Sequence, residues 1–155
     1  DSGAFDTFIL SDGMIGDSLI EAFGKSLNKS FGSLPGSTGK GAGVFTKVAK
    51  AAGIDSSGPY TGESYDAAAL IVLAMQAGGS ADRGSIAKNV MAVANGPGKK
   101  IYPGELKKAL DLLAKGKAVD YEGATGVVFT KVGEAEGSFL EKEIKYGKFK
   151  TKKQR

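Results

Sequence analysis

Apolar and polar positions along the chain alternate between two periods. Phe5 to Leu10 (FDTFIL) is apolar, aromatic and β-branched, which predicts a strand. Ser11-Asp12-Gly13 follows as a turn signal, and Asp17 suits an N-cap. Leu19, Ile20, Phe23 and Leu27 then recur at helical spacing. The opening thus reads as strand, loop and helix, the repeating unit of an open α/β sheet. The Gly-rich stretch Phe31 to Gly43 reads as a loop or a crossover between two bodies. Phe45, Val48, Ala49 and Ala52 predict a short amphipathic helix closed by Gly53, and Ile54 to Gly62 reads as another loop.

Ser64 is placed as the cap of the strongest helix, Tyr65 to Ala77, whose centre AAALIVLAM is apolar on every face. Such a helix is expected inside a core. Ser80 or Asp82 starts the next helix, with Ile86, Val90 and Val93 inward, and Asn95-Gly96-Pro97-Gly98 ends it. Pro103 suits the first position of a further helix, with Leu106, Ala109, Leu110 and Leu113 as its apolar stripe and Gly116 as its end. Beyond Tyr121 the pattern turns β-rich: a strand over Val127 to Thr130, a turn over Gly133 to Gly137, and a strand over Ser138 to Tyr146. Several helices against only about three strands cannot be well covered, so the chain reads as part of a larger body.

Composition narrows the chemistry. The 155 residues fit one ordinary domain, and 24 of them are Gly, about double the usual share of roughly 7%. There is no His and no Cys, which removes thiolate nucleophiles, imidazole bases, Ser–His pairs and zinc sites. No catalytic set remains, so an enzyme is not expected, nor is a cofactor or a metal. The longest apolar run, Ala67 to Met75, falls short of the ~18 residues of a membrane span. Asp1-Ser2-Gly3 has no signal-peptide character, as a mature or trimmed terminus would also read. The net charge of +4 is uneven: seven basic residues and one acid lie between Lys142 and Arg155. That tail reads as a solvated end, with no aromatic-rich pattern for nucleic acid.

Several short patterns mimic catalytic motifs. Gly36-Ser-Thr-Gly39-Lys40-Gly41 resembles a phosphate loop, but Leu34 and Gly41 stand where Gly and a hydroxyl are needed. Ser26-Leu-Asn-Lys29 and Ser85-Ile-Ala-Lys88 have a serine–lysine spacing without its accompanying motifs. Glu134, Glu136, Glu141 and Glu143 fall on a turn and a strand face, where solvation is the default.

One set of segments is more specific. Tyr60 to Gly79 (YTGESYDAAALIVLAMQAGG), the continuation SADRGSIAKNVMAVANGPGKKIYPGELKKALDLLAKG, Asp120 to Gly126 (DYEGATG), the ending GSFLEKEIKYGKF and the opening FILSDGM follow one another in order. Together they resemble the later part of the Leu/Ile/Val-binding proteins of bacterial ABC importers. The resemblance implies an α/β fold: the C-terminal portion of a two-lobed periplasmic binding protein of type I, a parallel sheet flanked by helices with a terminal β-hairpin. It implies that residues 1–30 end the second lobe, 31–43 form a hinge crossing, 44–132 belong to the first lobe, and 133–155 are the return strand and basic tail. It implies capture of an amino acid or related small amide between two lobes, in the periplasm, for delivery to an ABC permease. The missing N-terminal half, or a swapped dimer, is the implied protein partner, and nucleic acid is not.

Two residues carry over. Asp12 matches the loop carboxylate that accepts the ligand's ammonium group, at the end of a strand where α/β sheets capture ligands. Tyr60 matches an aromatic wall of the ligand side-chain pocket. Against these stand plainer roles, a turn-shaping Asp and a loop Tyr packed on the next helix. The groups that hold the ligand carboxylate lie, in the family, in the absent first half. A non-catalytic scaffold that kept the fold and lost its ligand is the alternative reading.

Overall fold

The computed structural model describes residues 3–155. In chain order the elements are β1 (Ile9–Leu10), α1 (Asp17–Phe23), β2 (Phe31–Pro35), α2 (Lys40–Ala51), α3 (Thr61–Gly78), α4 (Arg83–Ala94), β3 (Lys99–Ile101), α5 (Leu106–Ala114), β4 (Val119–Tyr121), β5 (Val128–Phe129), β6 (Ala135–Glu136), β7 (Phe139–Lys145) and β8 (Lys148–Gln154). Single 3-10 turns lie at Asp12–Met14 and Gly24–Leu27. The chain divides into two units. One comprises the stretch ending at Gly36 together with Ser138–Arg155, and the other is Ser37–Gly137.

The first unit is a four-stranded mixed sheet in the order β1-β2-β7-β8. β1 and β2 are parallel, while β2–β7 and β7–β8 are antiparallel. Leu10, Ile15, Leu27, Leu34 and Ile144 form its core, with Leu19 and Ile20 of α1 packed against them. The period of two is visible in β2, where Gly32 and Leu34 are buried between exposed Phe31 and Ser33. Gly32 is required there, because a Cβ would run into the backbone carbonyl of Leu10. Ser30 is fully buried and bridges the strands: its hydroxyl accepts the Phe8 N–H at 3.1 Å and its carbonyl accepts the Ile144 N–H at 2.9 Å.

The second unit packs helices around the parallel pair β3–β4 and the small antiparallel pair β5–β6. Its core joins Leu70, Leu73 and Ala74 of α3, Val93 and Ala94 of α4, Ala109 of α5, and Ile101, Val119 and Tyr121 of the strands. α3 and α4 approach closely because Gly78 lies against Ser85 and Asn89, where a side chain would collide. α5 follows the expected stripe, with Leu106, Leu110 and Leu113 partly buried around Ala109. A smaller cluster of Phe45, Ala49 and Ala124 seats α2, whose Gly41 lies against the Gly123 carbonyl.

Several local expectations change. Phe31–Pro35, expected within a loop, is a strand, and α2 begins already at Lys40. Only Ile9–Leu10 of the expected first strand pairs, since β2 offers partners to those two residues alone. α3 starts at Thr61 after Tyr60, not at Tyr65 after Ser64. Nor is α3 buried all round: Ile71 and Val72 are 48% and 43% exposed, while Asp66 is buried. Pro103 lies ahead of α5, not at its first position. The basic tail is strand β8, and β3 and β6 were not expected. No helix among the described residues is long and apolar enough to cross a membrane.

Candidate functional site

Asp12 opens the 3-10 turn that follows β1, at the carboxyl end of a strand in a parallel pair. The turn is tight: the Met14 N–H reaches the Ser11 carbonyl and the Ile15 N–H the Asp12 carbonyl, both at 3.0 Å. The Asp12 carboxylate accepts the Gly13 N–H at 2.7 Å. Its side chain is exposed while buried Ile15 anchors the turn. A charged acceptor is thus held on a short rigid turn above a strand end, the position at which α/β sheets meet their ligands. The same contact with Gly13 is what the turn-shaping role requires, so the geometry accommodates both.

Tyr60 belongs to the second unit and is the N-cap residue of α3. Its backbone has φ 62° and ψ 9°, the left-handed region that a bulky side chain rarely occupies. The conformation is held from both sides. The Tyr60 carbonyl accepts the Ser64 N–H at 2.9 Å, and the Thr61 hydroxyl reaches the Ser56 and Gly58 carbonyls at 3.1 and 3.0 Å. Strain of this kind costs on the order of 1–3 kcal/mol and gathers at ligand sites. Asp12 and Tyr60 therefore fall on different units, each on a fixed turn at the end of an element.

The neighbours of Tyr60 have structural work. Tyr65 packs its ring 5.3 Å from that of Phe45, and its hydroxyl accepts the Gly104 N–H at 2.9 Å. Asp66, one residue on, is only 3% exposed. Its carboxylate accepts four hydrogen bonds: Tyr121 Oη at 2.9 Å, Ala124 N–H at 2.7 Å, and Thr125 N–H and Oγ1, both at 2.8 Å. Burial, with the Asp66 carboxylate second, pushes the Tyr121 phenol well above its ordinary value, so it stays a donor. Asp66 thereby locks the turn after β4 to the first part of α3. Sequence reasoning passed over it, although an acid directly abutting the apolar run from Ala67 was the available signal. Asn95 makes a second lock, pairing its side-chain amide with both backbone groups of Phe129 at 2.7 and 2.8 Å.

A groove of about 660 Å³ opens within the first unit. Phe5, Phe8, Ile9, Met14, Leu19 and Phe23 line it. Phe5 and Ile9 are each 79% exposed, which is the uncovered apolar surface expected of part of a larger body. Among the described residues no group of acidic side chains converges as a metal site would.

No known family model matches the chain. Over 70 residues it is 40% identical to the chemotactic signal transduction system substrate-binding protein BasB of Halobacterium salinarum, a stretch covering 45% of this chain and 17% of that protein. Its fold superposes on the leucine-binding protein LivK of Thermotoga maritima with a TM-score of 0.66 and 19% identity, covering 96% of this chain and 37% of that one. The chain thus spans well under half the length of either. Both of these similar proteins are binding proteins by name. The resemblance read from the sequence and the α/β fold class are both borne out, the chain matching part of a periplasmic-binding-protein fold.

Proposed function

We propose that this chain is the C-terminal part of a two-lobed solute receptor that captures an amino acid or small amide and hands it to an ABC permease. The observation that supports this most is the fold match over nearly the whole chain, with Asp12 on a rigid turn at a strand end. In this reading the first unit belongs to the second lobe and the second unit to the first lobe. The chain crosses between them at Gly36/Ser37 and Gly137/Ser138. Asp12 accepts the ligand ammonium in a charge-assisted bond, and Tyr60 walls the side chain. Closure is a hinge motion, no bond is made or broken, and the site of action is the periplasm. The uncovered groove beside Ile9 and Phe23 is where the missing N-terminal half, or a swapped copy, packs. The name of BasB, which belongs to a chemotactic signal transduction system, supports signalling as the second output to be tested for the same capture step.

The chain alone holds the ammonium end of a ligand and lacks a clamp for its carboxylate. Calorimetric titration with leucine on the isolated chain is therefore expected to give a Kd weaker than about 1 mM. Amide chemical shifts at saturating leucine are expected to move at Gly13 and its neighbours, and to stop moving in Asp12→Ala. Tight binding by the isolated chain, or shifts that survive Asp12→Ala, would overturn the assignment.

A further inference from the structure

The β7–β8 hairpin carries features that the solute-capture reading does not use. Its two turn residues, Tyr146 and Gly147, have φ of 56° and 67°, as a type I′ turn requires. Asn, Asp or Gly is the favoured first residue there, and an aromatic side chain is strained. Tyr146 is nonetheless 78% exposed. Lys145 and Lys148 stand directly opposite each other beside it, a like-charge pair that weakens a hairpin. Two local rules are broken at one exposed place, a pattern that gathers at functional or strained sites.

The surroundings agree. Besides Tyr60, the described non-glycine residues with positive φ are Lys29 and Tyr146, and both line one hollow of about 400 Å³. The strained backbone is fixed by hydrogen bonds: Lys29 N–H to the Ile144 carbonyl and Gly147 N–H to Asn28 Oδ1, each at 3.0 Å. The Lys150 ammonium lies over the exposed Tyr146 ring, 5.3 Å from its centre. Glu143 and Glu141 are taken up by Lys145, Lys152 and Arg155. Lys148, Lys150 and Lys153 are left without an ion pair among the described residues. The edge strand therefore presents a row of ammonium groups without carboxylate partners, ending beside one exposed aromatic ring.

The geometry points to an anionic phospholipid surface as the partner of this hairpin. Ammonium groups on flexible stems suit a diffuse negative surface, whereas defined phosphate recognition favours the bidentate fork of Arg, of which the hairpin has one. One exposed Tyr among lysines matches the amphipathic anchors found at headgroup depth. Single-stranded nucleic acid would call for several stacking rings, and the exposed tip has one. The hairpin would lay the protein against a membrane face, whichever solute it carries.

Co-sedimentation of the full chain with vesicles tests this, using phosphatidylglycerol mixed with phosphatidylcholine against phosphatidylcholine alone. Binding is expected only to the anionic vesicles and is expected to fall with added salt. Lys150→Ala is expected to lower the partition coefficient roughly fivefold. Tyr146→Asn places a favoured residue in the turn, so the thermal midpoint is expected to hold or rise while vesicle binding drops. Equal binding to neutral vesicles, no binding to either, full binding by Tyr146→Asn, or stronger capture by duplex DNA than by anionic vesicles would each overturn the inference.

Discussion

Removing the Asp66 carboxylate should unfasten the turn after β4 from α3. In Asp66→Ala four donors lose their acceptor. The hydroxyls of Tyr121 and Thr125 can rotate toward other partners. The amides of Ala124 and Thr125 cannot, and each buried orphan costs about 1–3 kcal/mol. Relief of the desolvation carried by a buried carboxylate offsets part of this. The expected net loss is about 3 kcal/mol. Asp66→Asn keeps the shape and one oxygen, but its amide hydrogens must face one pair of donors, so a loss of about 2 kcal/mol is expected. In a unit of about 100 residues, 1 kcal/mol shifts Tm by roughly 4–8 °C. Asp66→Ala should therefore lower the far-UV melting midpoint by on the order of 15 °C. Amide exchange at Ala124 and Thr125 should accelerate before that at Leu73. A loss below about 1 kcal/mol in both variants would refute the claim that this carboxylate holds the turn.

Other outcomes follow from the same contacts. Gly123→Ala should destabilise the second unit about as much as Asp66→Asn, since Gly123 has φ 58° and its new Cβ would press on the Asp66 carboxylate; thermal melting checks this. Asn95→Ala should cost about 1–2 kcal/mol and expose the Phe129 amide to exchange, read by urea unfolding and hydrogen exchange. Gly32→Ala should open the β1–β2 pair, seen as lost protection of the Phe31 amide, which donates to Phe8 at 3.1 Å. Arg155 chiefly, with Lys152, holds the Glu141 carboxyl below its usual range, and Lys108 with the Tyr102 N–H does the same for Glu105. A depressed carboxyl contributes stability above its unfolded value, about 4.3, and loses it as pH falls through the lowered folded value. Both contacts should therefore persist at pH 5 and fade only on stronger acidification, as carboxyl-carbon titration by NMR would show.

Helices were the legible part of this chain. α5 announces itself because three or four apolar residues per two turns leave a clear period, as Leu106, Ala109, Leu110 and Leu113 do, and α3 by its long uninterrupted apolar run. Strands that bury one side chain do not. In β8 only Phe149 is even partly buried, so KFKTKKQ has the composition of a solvated tail although its backbone completes a sheet. β3 is similar, with Ile101 alone buried among Lys99 and Lys100. The all-round apolar reading of α3 failed at both extremes. Ile71 and Val72 face outward, and Asp66, the acid beside Tyr65, turns inward because three donors from a distant turn and the Tyr121 hydroxyl of β4 await it. Such a partner set, nearly 60 residues away, has no trace in local periodicity. For the candidate site, the turn at Asp12 was legible as Ser-Asp-Gly, whereas the left-handed backbone of Tyr60 was not, since nothing in an aromatic residue signals it.

Native mass spectrometry of the protein taken from the cells that make it tests the central claim most directly. The account predicts a species heavier than this chain alone, carrying the remaining half of a two-lobed receptor and one amino-acid-sized ligand that Asp12→Ala releases. A bare single chain with no ligand, or a ligand retained unchanged in Asp12→Ala, would contradict it.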